Sequence, residues 1–519
     1  MKGWVERSMF DRRKFRTVAF FLCLLLLITV MVLSILDKQR RCLEVEILSE
    51  QDPSWLQEYV YRDYSPYILY NGQKAPVDVE TSTIYIAQNI GPDTKAEDLL
   101  GSLKLSSSRH RIVFARDDAF DNLTEAVAQN HRFRLYVTNH SGKYMAYNLI
   151  FTSLPVLRVD GEFFDYDQKG REVNQGTLCL WTPLDPDTGR YSVKESNVHW
   201  HVRGGSSAGQ PKNPWRLSLK KKTGTNKNVS MAGLGSDDDW FLNPMSFDDT
   251  KLKEQLFIQL WNQRADQVEW NAPMSQGEYV EVVINGRYMG LFQLQRRVDG
   301  KFLGLDTGDV LLKGGGGWDS PTPEVAYEIV HTHLSEPETY ALMEGFFQER
   351  DSEIVDLDNF LDVNLFLQSA AAVDNGNHAN MFYLLKNSED GYRLQLLPWD
   401  TDMSWGTVWR GGGFVYDFED SLQRMALRRE YDWMQEAYPD LDRQMALRWL
   451  QLRENLLTMD SVAVILGQEQ QTLDASGAQL RDRERWGLYY QGEDSLENLY
   501  RTVEARWKWL DDYYSKYLP

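Results

Sequence analysis

The spacing of apolar positions changes character along this chain, and each change marks a different kind of element. Thr17 to Leu36 (TVAFFLCLLLLITVMVLSIL) runs for 20 positions without a charge. A helix of that length crosses a hydrocarbon layer about 30 Å thick. From about 76 to 160 the pattern becomes short alternating runs, STIYIAQ, HRIVFAR, RFRLYVTN and YMAYNLIFTS, parted by Gly, Asn, Asp and Ser. Turn residues at roughly ten-residue spacing between such runs predict a small β-sandwich of immunoglobulin-like type over 76–154.

Alternation continues through LPVLRVDGEFF, VHWHVRGG, WRLSLKKK and EYVEVVINGRYMGLFQLQ. In the last, Asn-Gly lies between two alternating runs, a strong hairpin signal. A helix is expected over Lys251–Arg264, where Leu252, Leu256, Phe257, Leu260 and Trp261 share one face. Beyond about 336 the pattern turns helical, with Leu357–Val373 and then long amphipathic stretches from about 418 onward. A β-rich lobe followed by a helical lobe predicts an α+β domain over 155–519. The line between the lobes is a natural cleft.

Charge gives the first helix a direction. Lys2, Arg7, Arg12, Arg13, Lys14 and Arg16 precede it, and Lys38, Arg40 and Arg41 follow. The heavier positive flank stays in the cytoplasm, so 1–16 is expected to be a cytoplasmic tail, 17–36 a single-pass anchor in the cell membrane, and 37–75 an extracellular, Tyr-rich juxtamembrane segment. A cleaved signal peptide is the alternative, although its apolar core would be unusually long and no small-x-small pattern follows Leu36.

The chain has 56 basic and 76 acidic residues; six and two of these precede position 37, leaving 50 against 74 and a net charge of −24. Such a body binds neither nucleic acid nor anionic lipid non-specifically, and a basic cluster on it stands out. Three cysteines, Cys23, Cys42 and Cys179, are too few for a zinc framework or a disulfide scaffold. A Cys42–Cys179 bridge is not expected, because one end lies in the juxtamembrane segment.

Two constellations carry candidate chemistry. In the first, Asp374-Asn-Gly-Asn-His-Ala-Asn380 follows an apolar helix, and Pro-Trp-Asp400-Thr-Asp402 follows a pair of strands. A hairpin between them would bring Asp374, Asn380, Asp400 and Asp402 to one end. Hard divalent cations take carboxylate and amide oxygens, and Mg2+ uses one or two carboxylates together with substrate phosphates. Protein kinases follow this logic, with an Asp at the substrate hydroxyl, an Asn a few positions on and a metal-binding Asp after a hairpin. Helix and turn capping by single Asp and Asn residues, or a calcium-stabilised loop without catalysis, are the plainer alternatives.

The second constellation is Arg203-Gly-Gly-Ser206-Ser207, followed by Pro-Lys212-Asn-Pro-Trp-Arg216-Leu-Ser-Leu-Lys220-Lys-Lys222. A Gly/Ser turn with flanking cations suits a polyphosphate, although it is not a Walker sequence. The bland reading, a basic strand edge that discourages edge pairing, fits Lys220–Lys222 better than Arg203, Lys212 or Arg216. Lys313 precedes Gly314–Gly317 and would reach a phosphate under a mobile loop; a flexible turn is the simpler account. His378 reads as a turn histidine. Gly-x-Ser-x-Gly and HExxH are absent, against a serine hydrolase or zinc enzyme. A glycosidase needs only two carboxylates, but has no use for a basic cradle.

In their order, these motifs resemble the CotH family, atypical protein-kinase-like proteins named for a spore-coat protein. The resemblance covers most of 195–515. It rests on RGGSSAGQPKNPWRLSL, GLGSDDDWFLNPMSFDDTKLKEQLFIQLW, EYVEVVINGRYMGLFQL, DNGNHANMFYLL, LPWDTDMSWG and ASGAQLRDRERW. It implies a two-lobed kinase-like domain that phosphorylates Ser or Thr of a surface or coat protein, using ATP with Mg2+ or Mn2+. By position it makes Asp374 the catalytic Asp, Asn380 a metal partner, Asp400 the principal metal ligand and Asp402 a second acidic contact. Lys212 and Arg216 would lie near the nucleotide phosphates. The chain departs from the family where a Glu-Lys-x-Asp stretch is usual and it reads Arg296-Arg297-Val298-Asp299. A non-catalytic envelope protein that binds through the same fold is the alternative from another class.

Overall fold

The computed structural model describes residues 17–34, 46–48, 57–58, 68–95, 99–107, 110–115, 118–139, 143–161, 172–315, 322–347, 350–376, 380–410, 413–425, 430–487 and 494–519. The expected cytoplasmic tail, most of the juxtamembrane segment, Cys42 and His378 lie outside the described residues. Thr17–Ser34 is one apolar helix of 18 residues with mean hydropathy 2.8. By length and composition it fits a membrane span, and a signal sequence near an N-terminus meets the same description.

The chain divides into two compact units, Met1–Thr152 and Ser153–Pro519. In the first, a mixed sheet runs in the order Glu46–Leu48, His110–Ala115, Phe133–Asn139, Lys143–Thr152, Thr83–Ala87, Val77–Asp78. Lys143–Thr152 pairs antiparallel with Phe133–Asn139 but parallel with Thr83–Ala87. An immunoglobulin-like sandwich, the expectation for 76–154, has antiparallel sheets, whereas parallel pairs stand among the antiparallel ones here. Alternation fixes which side chains share a face and says nothing of strand direction, so the parallel pairs were not legible. A short helix, Leu123–Ala128, was also missed: Asn122 caps it, and Leu123, Ala126 and Val127 are its buried positions.

The second unit begins with a closed barrel of seven strands. Around it run Val156–Gly161, Asn174–Asp185, Arg190–Val202, Trp215–Lys220, Asp239–Asn243, Arg287–Arg296 and Gly277–Ile284, which returns to the first. Only the closing pair, Val156–Gly161 with Gly277–Ile284, is parallel among these barrel pairings. Val198, Trp200, Leu217, Leu219, Trp240, Leu242, Phe292 and Leu294 fill it, each the inward member of an alternating run. The expected hairpin forms at Asn285-Gly286, with φ of 47° and 73°, the left-handed pair that a tight two-residue turn requires.

Helix Lys253–Ala265 crosses from the barrel with Leu256, Phe257, Leu260 and Trp261 buried. It starts two residues later than the apolar pattern suggested, because Lys251 has φ of 65° and Asp248 caps the start by accepting from the Lys253 N–H at 2.8 Å. The rest of the unit is an antiparallel sheet with helices. Its strand order is Tyr327–His331, Val310–Gly314, Met381–Ser388, Gly391–Pro398. Helices Leu357–Ala370, Leu441–Asn455, Met459–Ser476, Ala478–Trp486 and Leu496–Tyr514 accompany it. Phe366, Leu396, Trp449 and Trp507 belong to its large common core. The second unit is thus α+β, as expected.

Candidate functional site

Three backbone features and one side-chain amide bring the acidic constellation together. Helix Leu357–Ala370 stops at Ala371, whose φ of 50° turns the chain into the short 3-10 segment Val373–Asn375. Met381 and Pro398 face each other at one end of their hairpin, so the residues just beyond them, Asn380 and Asp400, emerge side by side. Both have left-handed backbones, with φ of 55° and 58°. Asn and Asp tolerate that conformation better than other non-glycine residues. Asn375 fastens the two ends, its amide donating to the carbonyls of Asn380 at 2.8 Å and Trp399 at 2.7 Å. Asn375 lies inside the quoted motif, yet sequence reasoning gave it no role.

Asn380 Nδ2 donates to Asp374 Oδ2 at 2.6 Å. Burial and the nearby Asp400 raise the Asp374 pKa, and that hydrogen bond offsets part of the rise. Asp402 is pushed well above the usual carboxylate range by burial, then by Asp400, Glu254, Asp374 and Asp248. These carboxylates repel one another, and none of Asp374, Asp400 and Asp402 has an ion pair among the described residues.

Two of the expected cations face them. Arg203 stands just past the end of strand Arg190–Val202, and its guanidinium lies 4.2 Å from the Phe241 ring centroid and 5.7 Å from that of Trp399. Its Nε is buried without a hydrogen-bond partner. Burial lowers the Arg203 pKa, while Asp400, Glu254 and Asp402 oppose the shift. Lys313 comes from strand Val310–Gly314, opposite Phe382, with its amine 5.8 Å from the Trp399 ring. Burial and Arg203 lower its pKa; Asp400 and Glu328 act the other way. Cations and carboxylates therefore sit within electrostatic reach of one another without closing into ion pairs. In the Gly/Ser turn, a Cβ on Gly204, whose φ is 91°, would lie 2.2 Å from Ser207 Oγ, so the hydroxyl packs where only glycine leaves room. The Ser206 side chain is outside the described residues.

Glu254 joins the site and was not anticipated. It lies in the first turn of helix Lys253–Ala265, is 4% exposed and accepts from Asn243 Nδ2. Burial and Asp400 push its pKa up to about 8, against the influence of Arg203. Lys253 and Gln255 flank it in sequence and are buried too, so no break in pattern singles it out.

Lys212 and Arg216 are placed differently from the expectation. Lys212 is buried, and its amine donates to Asp482 Oδ1 at 2.8 Å, to the Pro244 carbonyl at 3.0 Å and to the Leu291 carbonyl. An ammonium has three donors, and all three are used here. Asp482, from helix Ala478–Trp486, also accepts from the Leu291 N–H at 2.9 Å and lies 3.8 Å from the Lys251 amine. Lys212 therefore ties the turn carrying Arg203 to a distant helix. Arg216 sits on the outer face of the barrel and pairs with Asp239 through Nε at 2.8 Å and through Nη2.

The Arg296-Arg297 departure has a local counterpart. Arg296 donates to Asp237 Oδ2 from Nε at 3.1 Å and Nη2 at 3.0 Å, Lys301 pairs with Asp237 and Asp238, and Arg297 lies 3.4 Å from Asp239. Asp237 and Asp239 thus give Arg296 and Arg297 carboxylate partners. Among the described residues, no three His, Cys, Asp or Glu side chains form a ready metal cage. Oxygen ligands from Asn380, Asp400 and Asp402 suit a hard cation that takes its remaining ligands from phosphate or water.

A family model described as CotH kinase protein matches residues 200–510, more than half of the chain and all of the residues just described. No curated protein matches it.

Proposed function

We propose, from the premise that this chain belongs to the CotH kinase protein family, that it transfers the γ-phosphoryl group of ATP to Ser or Thr of a cell- or spore-surface protein, with Mg2+ or Mn2+. The observation that carries this reading is that Arg203 and Lys313 both lie within electrostatic reach of Asp400, and Arg203 also of Asp402, with no ion pair between them among the described residues. Opposite charges in a partly buried site gain by pairing, and charges held apart there are costly. A metal-bound polyphosphate gives both sides a partner: oxyanions for the cations, and a cation for the carboxylates.

In this reading the barrel and the helical part are the two lobes, and Arg203 and Lys313 hold the phosphates from the barrel side and the sheet side. The Gly204–Ser207 turn closes over the same phosphates. Asp400, with Asp402 and Asn380, would hold the divalent ion, which when bound neutralises charge on the transferring phosphoryl group. Asp374 accepts the proton as the substrate hydroxyl oxygen bonds to the γ-phosphorus and the bond to the ADP oxygen breaks. Its raised pKa strengthens it as a base, and the Asn380 hydrogen bond fixes the carboxylate in one orientation. The Thr17–Ser34 helix would anchor the chain, with the tail before it in the cytoplasm and the chain after it outside.

The non-catalytic alternative draws on Arg296 standing where an acid would pair with a phosphate-binding Lys; Asp237 partners Arg296 itself, and the presence of all four of Asp374, Asn380, Asp400 and Asp402 favours the catalytic reading. The test is transfer of labelled γ-phosphate by the full chain in detergent, to itself or to an acceptor protein. Transfer with Mg2+ or Mn2+ that disappears in Asp374→Ala supports the reading. Equal labelling by parent and variant would overturn it.

A further inference from the structure

Lys220, Lys221 and Lys222 lose their simplest explanation once the topology is known. A basic strand edge guards against edge pairing only where there is an edge. Strand Trp215–Lys220 has none, being hydrogen-bonded to Arg190–Val202 on one side and Asp239–Asn243 on the other within a closed barrel.

The three lysines instead wall a groove of about 440 Å³ on the outside of the barrel, with His199, Asn197 and Gln175. Its remaining lining is glycine and Val198, with no acidic side chain among the described residues. Arg158, Lys194, Arg216, Arg296, Arg297 and Lys301, on the barrel and the loop after it, each have a carboxylate within ion-pair distance. Lys221 and Lys222 have none among the described residues, and Lys220 donates only to the amide oxygen of Asn226, at 2.6 Å. In a chain of net charge −20, unmatched cations gathered around one concavity are a feature to be explained.

The outward stripe of this strand also runs toward the candidate site, since Arg216 is the register partner of Phe241, the ring on which the Arg203 guanidinium rests. Buried Trp215, Leu217 and Leu219 alternate with outward Arg216, Ser218 and Lys220. Arg216 lies at the other end of this stripe, sharing Asp239 with Arg297. Four strand residues span about 13 Å, a reach that an extended peptide covers in a similar number of residues.

We propose that this groove binds acidic side chains of the protein substrate, so that the enzyme favours Ser or Thr flanked by Asp or Glu. The inference rests on the phosphotransferase reading for the existence of a protein substrate, but its test needs no transfer. Labelled peptides with an alanine in place of the acceptor, and either a run of Glu or a run of Gln beside it, are titrated with the full chain by fluorescence anisotropy, without nucleotide. The Glu peptide is expected to bind about tenfold or more tightly than the Gln peptide. That preference should disappear in K220Q/K221Q/K222Q at unchanged melting temperature, and shrink as salt rises from about 50 to about 200 mM. Equal binding of the two peptides, or a preference that survives the triple substitution, overturns the proposal. So does lysine-dependent binding of inorganic polyphosphate or of phosphatidylserine vesicles without binding of the Glu peptide. Failure of phosphate transfer with the peptide preference intact would instead count against the phosphotransferase reading alone.

Discussion

Asn380 holds Asp374 through a 2.6 Å hydrogen bond from its side-chain amide, six residues further along the chain. The contact depends on Asn380 adopting a left-handed backbone and on Asn375 gripping the carbonyls on either side of the strand ends. The candidate base is thus oriented by a turn that is itself locked from behind. Asp374→Asn keeps the shape and removes the base. It is expected to lower transfer by about 10²–10⁴-fold with nucleotide affinity nearly unchanged, measured by labelled-phosphate transfer beside a binding titration.

Arg203 is held in place by an aromatic face rather than by an acid, since its guanidinium rests on Phe241. If it contacts phosphate, Arg203→Ala removes charge-assisted hydrogen bonds of about 1.5–3 kcal/mol, or about ten- to a hundredfold in ATP affinity. Arg203→Lys should recover only part of this, because a lysine lacks the planar fork. Titration calorimetry with ATP separates the three proteins.

Lys212 and Asp482 form a buried pair joining the Arg203 turn to helix Ala478–Trp486. Asp482→Leu leaves a buried ammonium without its counter-ion, and a loss of about 3–5 kcal/mol is expected in urea denaturation. The double substitution K212M/D482L is expected to recover part of that loss, because it removes the Lys212 charge together with its counter-ion but leaves Lys251, 3.8 Å from Asp482, without that carboxylate. A double variant as unstable as the single one would show that the pair is not the source of the effect.

Glu254 sets a pH dependence of stability. Its folded pKa of about 8 stands above its ordinary value of 4.5. Between these values the folded protein retains a proton that the unfolded chain releases, so stability falls as pH rises through this window. Below it, both states are protonated and the contribution is level. Glu254→Gln should flatten the pH dependence between 4.5 and about 8 in melting-temperature scans, and an unchanged slope would contradict the assignment.

Local pattern made much of the site readable and left the rest hidden for definite reasons. Asp374, Asn380, Asp400 and Asp402 could be grouped because a hairpin returns the chain to its starting end, a consequence of register alone. The Asn285-Gly286 turn and the buried face of helix Lys253–Ala265 were legible in the same way. Lys212 was not: its partner lies 270 residues away, and nothing near Lys212 distinguishes a cation that meets a phosphate from one that meets Asp482. Arg203 and Lys212 look alike in sequence and are separated only by tertiary contacts. Closure of the barrel was equally hidden, since the pairing of Val156–Gly161 with Gly277–Ile284 joins distant segments. Without that closure, Lys220–Lys222 read as edge protection.

The proposal that a metal-bound polyphosphate joins Arg203 to Asp400 is tested most directly by calorimetric titration of the full chain in detergent with ATP, with and without Mg2+ or Mn2+. The account predicts saturable ATP binding that requires the divalent ion and is lost in Asp400→Ala. No binding by the parent protein, or equal binding by Asp400→Ala, would contradict it.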